Sequence, residues 1–104
     1  MTLSQATGHV VAPSDDLPPG GSRAFAVGDT SVAVFRLRDG SLRAVAAACP
    51  HAGGPLADGQ SDARVVVCPL HLNAWRWDGT PTTGAAPLPV YEVREVAGDL
   101  VVAL

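Results

Sequence analysis

Both cysteines of this chain and two of its three histidines fall between positions 49 and 71. They come in two arms, Cys49-Pro50-His51 and Cys68-Pro69-Leu70-His71, a C-x-H and a C-x-x-H separated by sixteen residues. Thiolate and imidazole are ligands for transition metals, and each arm supplies one of each. Two adjacent metal ions would then each take a uniform pair, thiolates on one and imidazoles on the other. Side chains at i and i+2 of an extended segment point the same way, which lets Cys49 and His51 reach neighbouring ions. The same four ligands also make a tetrahedral zinc set, although zinc fingers usually pair Cys with Cys and His with His in separate arms. A disulfide is the weaker reading, because Met1-Thr2-Leu3-Ser4-Gln5 has no charged n-region or apolar h-region and intracellular thiols stay reduced. Buried thiols are common as small core hydrophobes, but that does not account for a histidine after each.

The residues between the ligands are suited to a metal loop. Pro50 and Pro69 stiffen the chain beside each cysteine. Gly53 and Gly54 lack the Cβ that would hold a backbone N–H away from a bound group. The run Cys49-Pro50-His51-Ala52-Gly53-Gly54-Pro55-Leu56, with Cys68-Pro69-Leu70-His71 after it, resembles the ligand loops of Rieske proteins. That resemblance implies one [2Fe–2S] cluster, with Cys49 and Cys68 on the buried iron and His51 and His71 on the outer one, in line with the mixed ligation of such centres. It also implies an all-β fold: a Rieske-like antiparallel β-sandwich with a small inserted cluster-binding subdomain, here about residues 48–83 of a single domain spanning 1–104. Residues 82–89 resemble the proline-bearing loop that covers the cluster in the family.

Three departures from the family carry expectations. Respiratory Rieske proteins have an extra cysteine in each loop, joined as a disulfide; Leu70 stands where the second loop would carry one. Asn73 and Trp75 stand where those proteins place Ser and Tyr hydroxyls, so fewer strong donors reach the cluster and its potential is expected low in the Rieske range. Leu72 replaces a glycine that often follows the second histidine, and Trp75-Arg76-Trp77-Asp78 resembles a later aromatic-Arg-aromatic-Asp run displaced by about two residues.

The elements that must position these loops read as short strands. Residues 31–38 alternate, with Ala33, Phe35 and Leu37 on one face and Val32, Val34, Arg36 and Arg38 on the other, predicting a half-buried strand. Asp39-Gly40 reads as a two-residue hairpin with φ > 0 at both positions. The return strand, 41–47, runs into Cys49, and 64–67 runs into Cys68. Residues 9–12, 22–27, 73–77, 90–96 and 100–104 read as further strands, with turns at Gly28-Asp29 and Gly98-Asp99. About nine strands and no helix-period stretch fit the all-β class. Residues 1–7 read as a loose terminus, 15–21 as a loop without a core pattern, and 57–63 as polar turn material. His9 has no paired cysteine and reads as a strand histidine. The tryptophans shield the site or fill the core, two roles that do not exclude each other.

At 104 residues the chain makes one small core. A net charge of −3 argues against nucleic acid as a partner and allows docking on a basic patch of an enzyme. No stretch reaches the eighteen apolar residues of a membrane span, so the chain reads as soluble and cytoplasmic. There is no G-x-G-x-x-G, no P-loop and no histidine left for a mononuclear iron site, which points to an electron carrier and not an enzyme. The resemblance implies two kinds of partner. One is a flavin-dependent reductase with a terminal oxygenase; the other is the large subunit of an NADH-dependent assimilatory nitrite reductase, whose small subunit this chain resembles in Val32-Ala33-Val34-Phe35-Arg36. A zinc-stabilised interaction module is the reading of another class.

Overall fold

The computed structural model describes residues 8–50, 53–70 and 72–104. Eight antiparallel strands form among them: β1 (Gly8–Pro13), β2 (Ser22–Val27), β3 (Thr30–Arg36), β4 (Leu42–Ala46), β5 (Val65–Val67), β6 (Ala74–Arg76), β7 (Val90–Val96) and β8 (Asp99–Ala103). Six of them run in the order β1-β8-β7-β4-β3-β2, and β5 pairs with β6 in a separate small sheet. Strand β7 joins two layers: Val90 and Tyr91 pair with β4, while Glu92 to Val96 pair with β8. The six strands therefore fold over their own inner face as an antiparallel sandwich, the predicted class.

Two apolar clusters explain the architecture. One lies inside the sandwich and gathers Leu17, Val27, Val32, Val34, Ala44, Leu100 and Val102. The other lies between the sandwich and the small sheet and gathers Ala33, Phe35, Leu37, Val45, Leu56, Val66, Trp75 and Leu88 with both cysteines. Strand β3 feeds both, Val32 and Val34 inward and Ala33 and Phe35 toward the small sheet. The two faces read from its alternation are right, but the strand is not half-buried: residues 32–35 are all buried. The small sheet and its loops cover the face that would otherwise meet water.

Several local expectations change. The 39–40 turn is wider than two residues: Leu37 N–H donates to Ser41 O (2.8 Å) and Gly40 N–H to Leu37 O (2.9 Å). Of its two central residues only Gly40 has a positive φ, because Asp39 instead accepts hydrogen bonds from the Ser41 N–H and hydroxyl. The two-residue turn with both φ positive is Ala97-Gly98, and Asp99 already belongs to β8. The loop expected to lack a core pattern holds a 3₁₀ turn at Ser14–Asp16 and sends Leu17 into the sandwich. A second 3₁₀ turn, Leu56–Asp58, buries Leu56 completely. Eight strands, not nine, occupy the described residues. No helix among them is long and apolar enough to cross a membrane. Residues 1–7 lie outside the described part, so the loose terminus expected there is not addressed.

Arg36 ties the leader to the sheet. Its Nε donates to Leu17 O (2.6 Å), Nη1 to Gly40 O (3.0 Å) and Nη2 to Ser14 Oγ (2.6 Å). The alternation of residues 31–38 gives no hint of this, because Leu17 and Ser14 lie about twenty positions earlier in the chain.

Candidate metal centre

Each cysteine sits at the mouth of a loop with the same backbone frame. In the first, Cys49 N–H donates to Gly54 O (2.9 Å) and Gly53 N–H donates back to Cys49 O (2.7 Å). In the second, Cys68 N–H donates to Asn73 O (2.8 Å) and Leu72 N–H donates back to Cys68 O (3.0 Å). Both loops thus pair residue i with i+5 and i+4. Both also need a left-handed residue at i+4, Gly53 with φ 73° and Leu72 with φ 60°. Leu72 therefore occupies the conformation that a glycine prefers, which accounts for the glycine that often stands at this position. The shared Cys-Pro start was the sequence signal for this symmetry; the different histidine offsets hid it.

Strand ends hold the two loops together. Strand β4 leads into Cys49, and an isolated bridge between Ala48 and Pro55 closes the neck of the first loop. Strand β5 leads into Cys68, and β6 leaves the second loop toward the Asp78 turn. Leu56 N–H donates to Ala47 O and Val67 N–H to Gln60 O, which fastens the segment between the arms. Cys49 and Cys68 are both buried, at 3% and 0% exposure, in one cluster with Leu56, Val66 and Trp75. Neither closes a disulfide. Of the four expected ligands the structure brings these two thiols into one place. His51 and His71, with Ala52, lie outside the described residues.

The surroundings fit an inserted group. A methyl built on Gly54 would lie 2.7 Å from Cys68 Sγ and about as close to Leu70, so the two loops meet where only glycine fits. The apolar wall of Leu56, Val66 and Trp75 keeps water from the thiols. Trp75 is fully buried, and its indole N–H donates to Ala86 O (2.8 Å). That bond pins residues 80–89 against β6, together with Thr82 N–H to Ala74 O and Leu88 N–H to Gly79 O. Asn73 Oδ1 accepts from Thr83 Oγ1 (2.7 Å). Trp77 is half-buried, stacked edge-on against Phe35 at 5.0 Å, with its N–H on Asp62 O. So Trp75 both shields the thiols and fills the core, and Trp77 braces the small sheet. His9 lies on β1 opposite Val102, at the far edge of the strand order from β2 and apart from the ligand loops.

Asp39, Asp62 and Asp78 each accept hydrogen bonds from residues just after them, and those bonds hold their carboxyls below the ordinary value. For Asp39 the Ser41 hydroxyl contributes most, for Asp62 the Arg64 N–H, and for Asp78 the Thr80 N–H.

An all-β domain that gathers two buried thiols from two matched loops is built for a thiolate-held metal group. The Rieske [2Fe–2S] domain model matches residues 7–94, and the chain belongs to that family, whose domain binds one [2Fe–2S] cluster. Among curated proteins, the cytochrome b6-f complex iron-sulfur subunit of Chlorobaculum tepidum is 34% identical over 96 residues, covering 90% of this chain and 52% of that protein. The chain thus spans about half the length of that relative. Among solved structures, the ferredoxin of carbazole 1,9a-dioxygenase from Nocardioides aromaticivorans IC177 is 33% identical with a TM-score of 0.83, covering 93% of this chain and 97% of that one. A Mycobacterium tuberculosis protein assigned as the small subunit of an NADH-dependent nitrite reductase is 29% identical with a TM-score of 0.84, covering 95% and 96%.

Proposed function

We propose that this chain is a one-electron carrier, a ferredoxin-type domain that takes electrons from a flavin-dependent reductase and passes them to a terminal oxidoreductase such as an aromatic-ring oxygenase. In this reading Cys49 and Cys68 hold the inner iron of the cluster and His51 and His71 the outer iron, with residues 48–83 as the metal-bearing part of a single domain. The observation that carries it is the likeness to the carbazole dioxygenase ferredoxin, which extends over nearly all of both chains. The bound cluster supplies reversible storage of one electron.

The chain's own residues do the remaining work. Cys49 and Cys68 fix the cluster to two loops whose backbone frames are closed by hydrogen bonds. Leu56, Val66 and Trp75 exclude water from the thiols, which leaves electron exchange to the side away from that wall. Trp75 spends its only donor on Ala86 O, and Asn73 Oδ1 is taken by Thr83. With the indole donor engaged there, the potential is expected toward the low end of the Rieske span, about −150 mV.

A second reading has its own support. The nitrite reductase small-subunit structure matches this chain as completely as the ferredoxin does, which favours a large reductase subunit as the alternative partner. In either assignment the chain is the carrier and not the catalyst, and its place is the cytoplasm.

The test is an absorption spectrum, a metal and sulfide assay, and EPR of the dithionite-reduced protein made with ample iron. A red-brown protein with a reduced signal of low average g supports the reading. A colourless protein with stoichiometric zinc overturns it in favour of a structural metal module. Electron delivery to a ring-hydroxylating oxygenase, set beside stimulation of a large nitrite reductase subunit, separates the two partners.

A further inference from the structure

Three of the eight aspartates in this chain are followed directly by glycine: Asp39-Gly40, Asp58-Gly59 and Asp78-Gly79. The pairing has a chemistry of its own. With no side chain on the second residue, its backbone nitrogen can approach the aspartate Cγ and close a five-membered ring. At the other five aspartates a side chain follows and obstructs that approach.

The structure separates the three sites. Asp39 Oδ1 accepts from the Ser41 N–H (2.9 Å) and the Ser41 hydroxyl (2.6 Å), and Asp78 Oδ1 accepts from the Thr80 N–H (2.9 Å). In both turns the carboxylate reaches past the glycine and is held there. The same bonds keep these two carboxyls ionised, led by the Ser41 hydroxyl at Asp39 and the Thr80 N–H at Asp78, whereas a carboxyl that gives up an oxygen must be protonated. Asp58 has no such restraint. Its side chain is exposed, and among the described residues no hydrogen bond or ion pair reaches its carboxylate. It ends the single 3₁₀ turn Leu56–Asp58, a weaker frame than an α-helix. The glycine nitrogens do not differ: Gly40, Gly59 and Gly79 each donate to the carbonyl three residues back. The free carboxylate is what sets residue 58 apart.

We propose that Asp58 is a site of spontaneous isoaspartate formation, and that this modification loosens both metal loops. The Gly59 nitrogen attacks Asp58 Cγ and gives its proton to solvent, while the carboxyl oxygen departs as water. Water then adds to the main-chain carbonyl carbon of residue 58 and breaks its bond to the nitrogen. The backbone now runs through the former side chain, one carbon longer, and the old main-chain carbonyl becomes a carboxylate. One water leaves and one enters, so the mass is unchanged and no oxidant or reductant is needed.

The added carbon falls in a strap tied at both ends. Toward the first arm Leu56 N–H donates to Ala47 O (3.0 Å); toward the second, Val67 N–H donates to Gln60 O (2.8 Å), one residue before Cys68. Between them Leu56 is fully buried in the cluster that holds both cysteines. A Cβ on Gly59 would collide with Val67 O, so the backbone has no slack there. A longer backbone at 58 therefore breaks the Gln60–Val67 pairing or unseats Leu56. Resting on the electron-carrier reading, Cys49 and Cys68 then hold iron less firmly.

The test ages the holoprotein at neutral pH and digests it with trypsin, which puts the three sites on separate peptides, 39–43, 44–64 and 77–94. Isoaspartate is resolved by chromatography at unchanged mass, and electron-transfer fragmentation distinguishes position 58 from 62. Residue 58 should carry at least about tenfold more than 39 or 78, the factor that one hydrogen bond to a charged group contributes. Comparable amounts at the three sites, or none at 58, would overturn the site. Iron and sulfide per chain should fall in step with isoaspartate at 58, and amide exchange at Val67 should quicken. Asp58→Glu, whose longer side chain disfavours the ring, should slow both losses. Iron loss as fast in Asp58→Glu as in the unaltered protein would overturn the link to the metal loops. A chain that never takes up iron fails the carrier reading instead, and the peptide map and Val67 exchange still decide the modification.

Discussion

Two of the described residues hold conformations that their side chains resist, and both are open to correction. Leu72 has φ 60° and Ala97 φ 51°. The left-handed region costs an L-residue about 1–2 kcal/mol, and both sites need it, one to close the second ligand loop and the other to turn β7 into β8. Leu72→Gly and Ala97→Asn are each expected to raise stability, by up to about 1 kcal/mol, measured as a shift in the urea midpoint at constant m. The reverse holds at Gly54, where an added methyl would sit 2.7 Å from Cys68 Sγ. Gly54→Ala is expected to fold and to retain much less iron and sulfide per chain, read by metal analysis and visible absorbance. At this scale the sequence was informative about chemistry and poor on conformation. Cys49, Cys68 and the double glycine announced a metal loop. That Leu72 carries the left-handed turn of the second loop was visible only once both loops showed the same hydrogen-bond frame.

At the level of elements, β6 and the 80–89 segment form one unit through a single indole. Trp75→Phe keeps most of the buried ring but leaves the Ala86 carbonyl without its donor, at a cost of about 1–3 kcal/mol. The expected sign is faster proteolysis within 80–89 ahead of any loss of the β-sheet signal. Arg36 plays the comparable role for the leader. Replacing it with Met abandons two carbonyls and the Ser14 hydroxyl, and the expected loss is about 2–4 kcal/mol in urea denaturation. Strand boundaries were legible almost throughout; 22–27 and 90–96 agree residue for residue with β2 and β7. The two-sided burial of β3 was not legible. Alternation sorts residues onto faces, but it does not say what covers each face, and the cover on the second one comes from residues far along the chain. The 3₁₀ turn bearing Leu17 escaped for a related reason: one buried leucine among polar, proline and glycine residues has no periodicity to detect.

For the molecule as a whole, acid sensitivity follows from its turns. Asp39, Asp62 and Asp78 have carboxyls held below their unfolded value by hydrogen bonds. A depressed folded value adds stability that is present above the unfolded value and lost as pH falls through the folded one. The contribution is therefore constant at neutral pH and declines from about pH 4 downward. The Asn variants at these three positions keep the oxygen acceptor without the charge, and their melting temperatures should fall less steeply below pH 4. Another property of the whole lies in the pairing of β1 with β8, which joins residues 8–13 to residues 99–103. During synthesis β1 precedes the other strands and has no hydrogen-bonded strand partner until β8 has followed, an interval of about five to twenty seconds at usual elongation rates. Cys49 and Cys68, only nineteen positions apart, can meet well before that. A chain whose second ligand loop has left the ribosome while residues 99–103 are still inside it then has both cysteines free to meet while β1 and β7 lack β8, exposed to pairing with a neighbouring nascent chain.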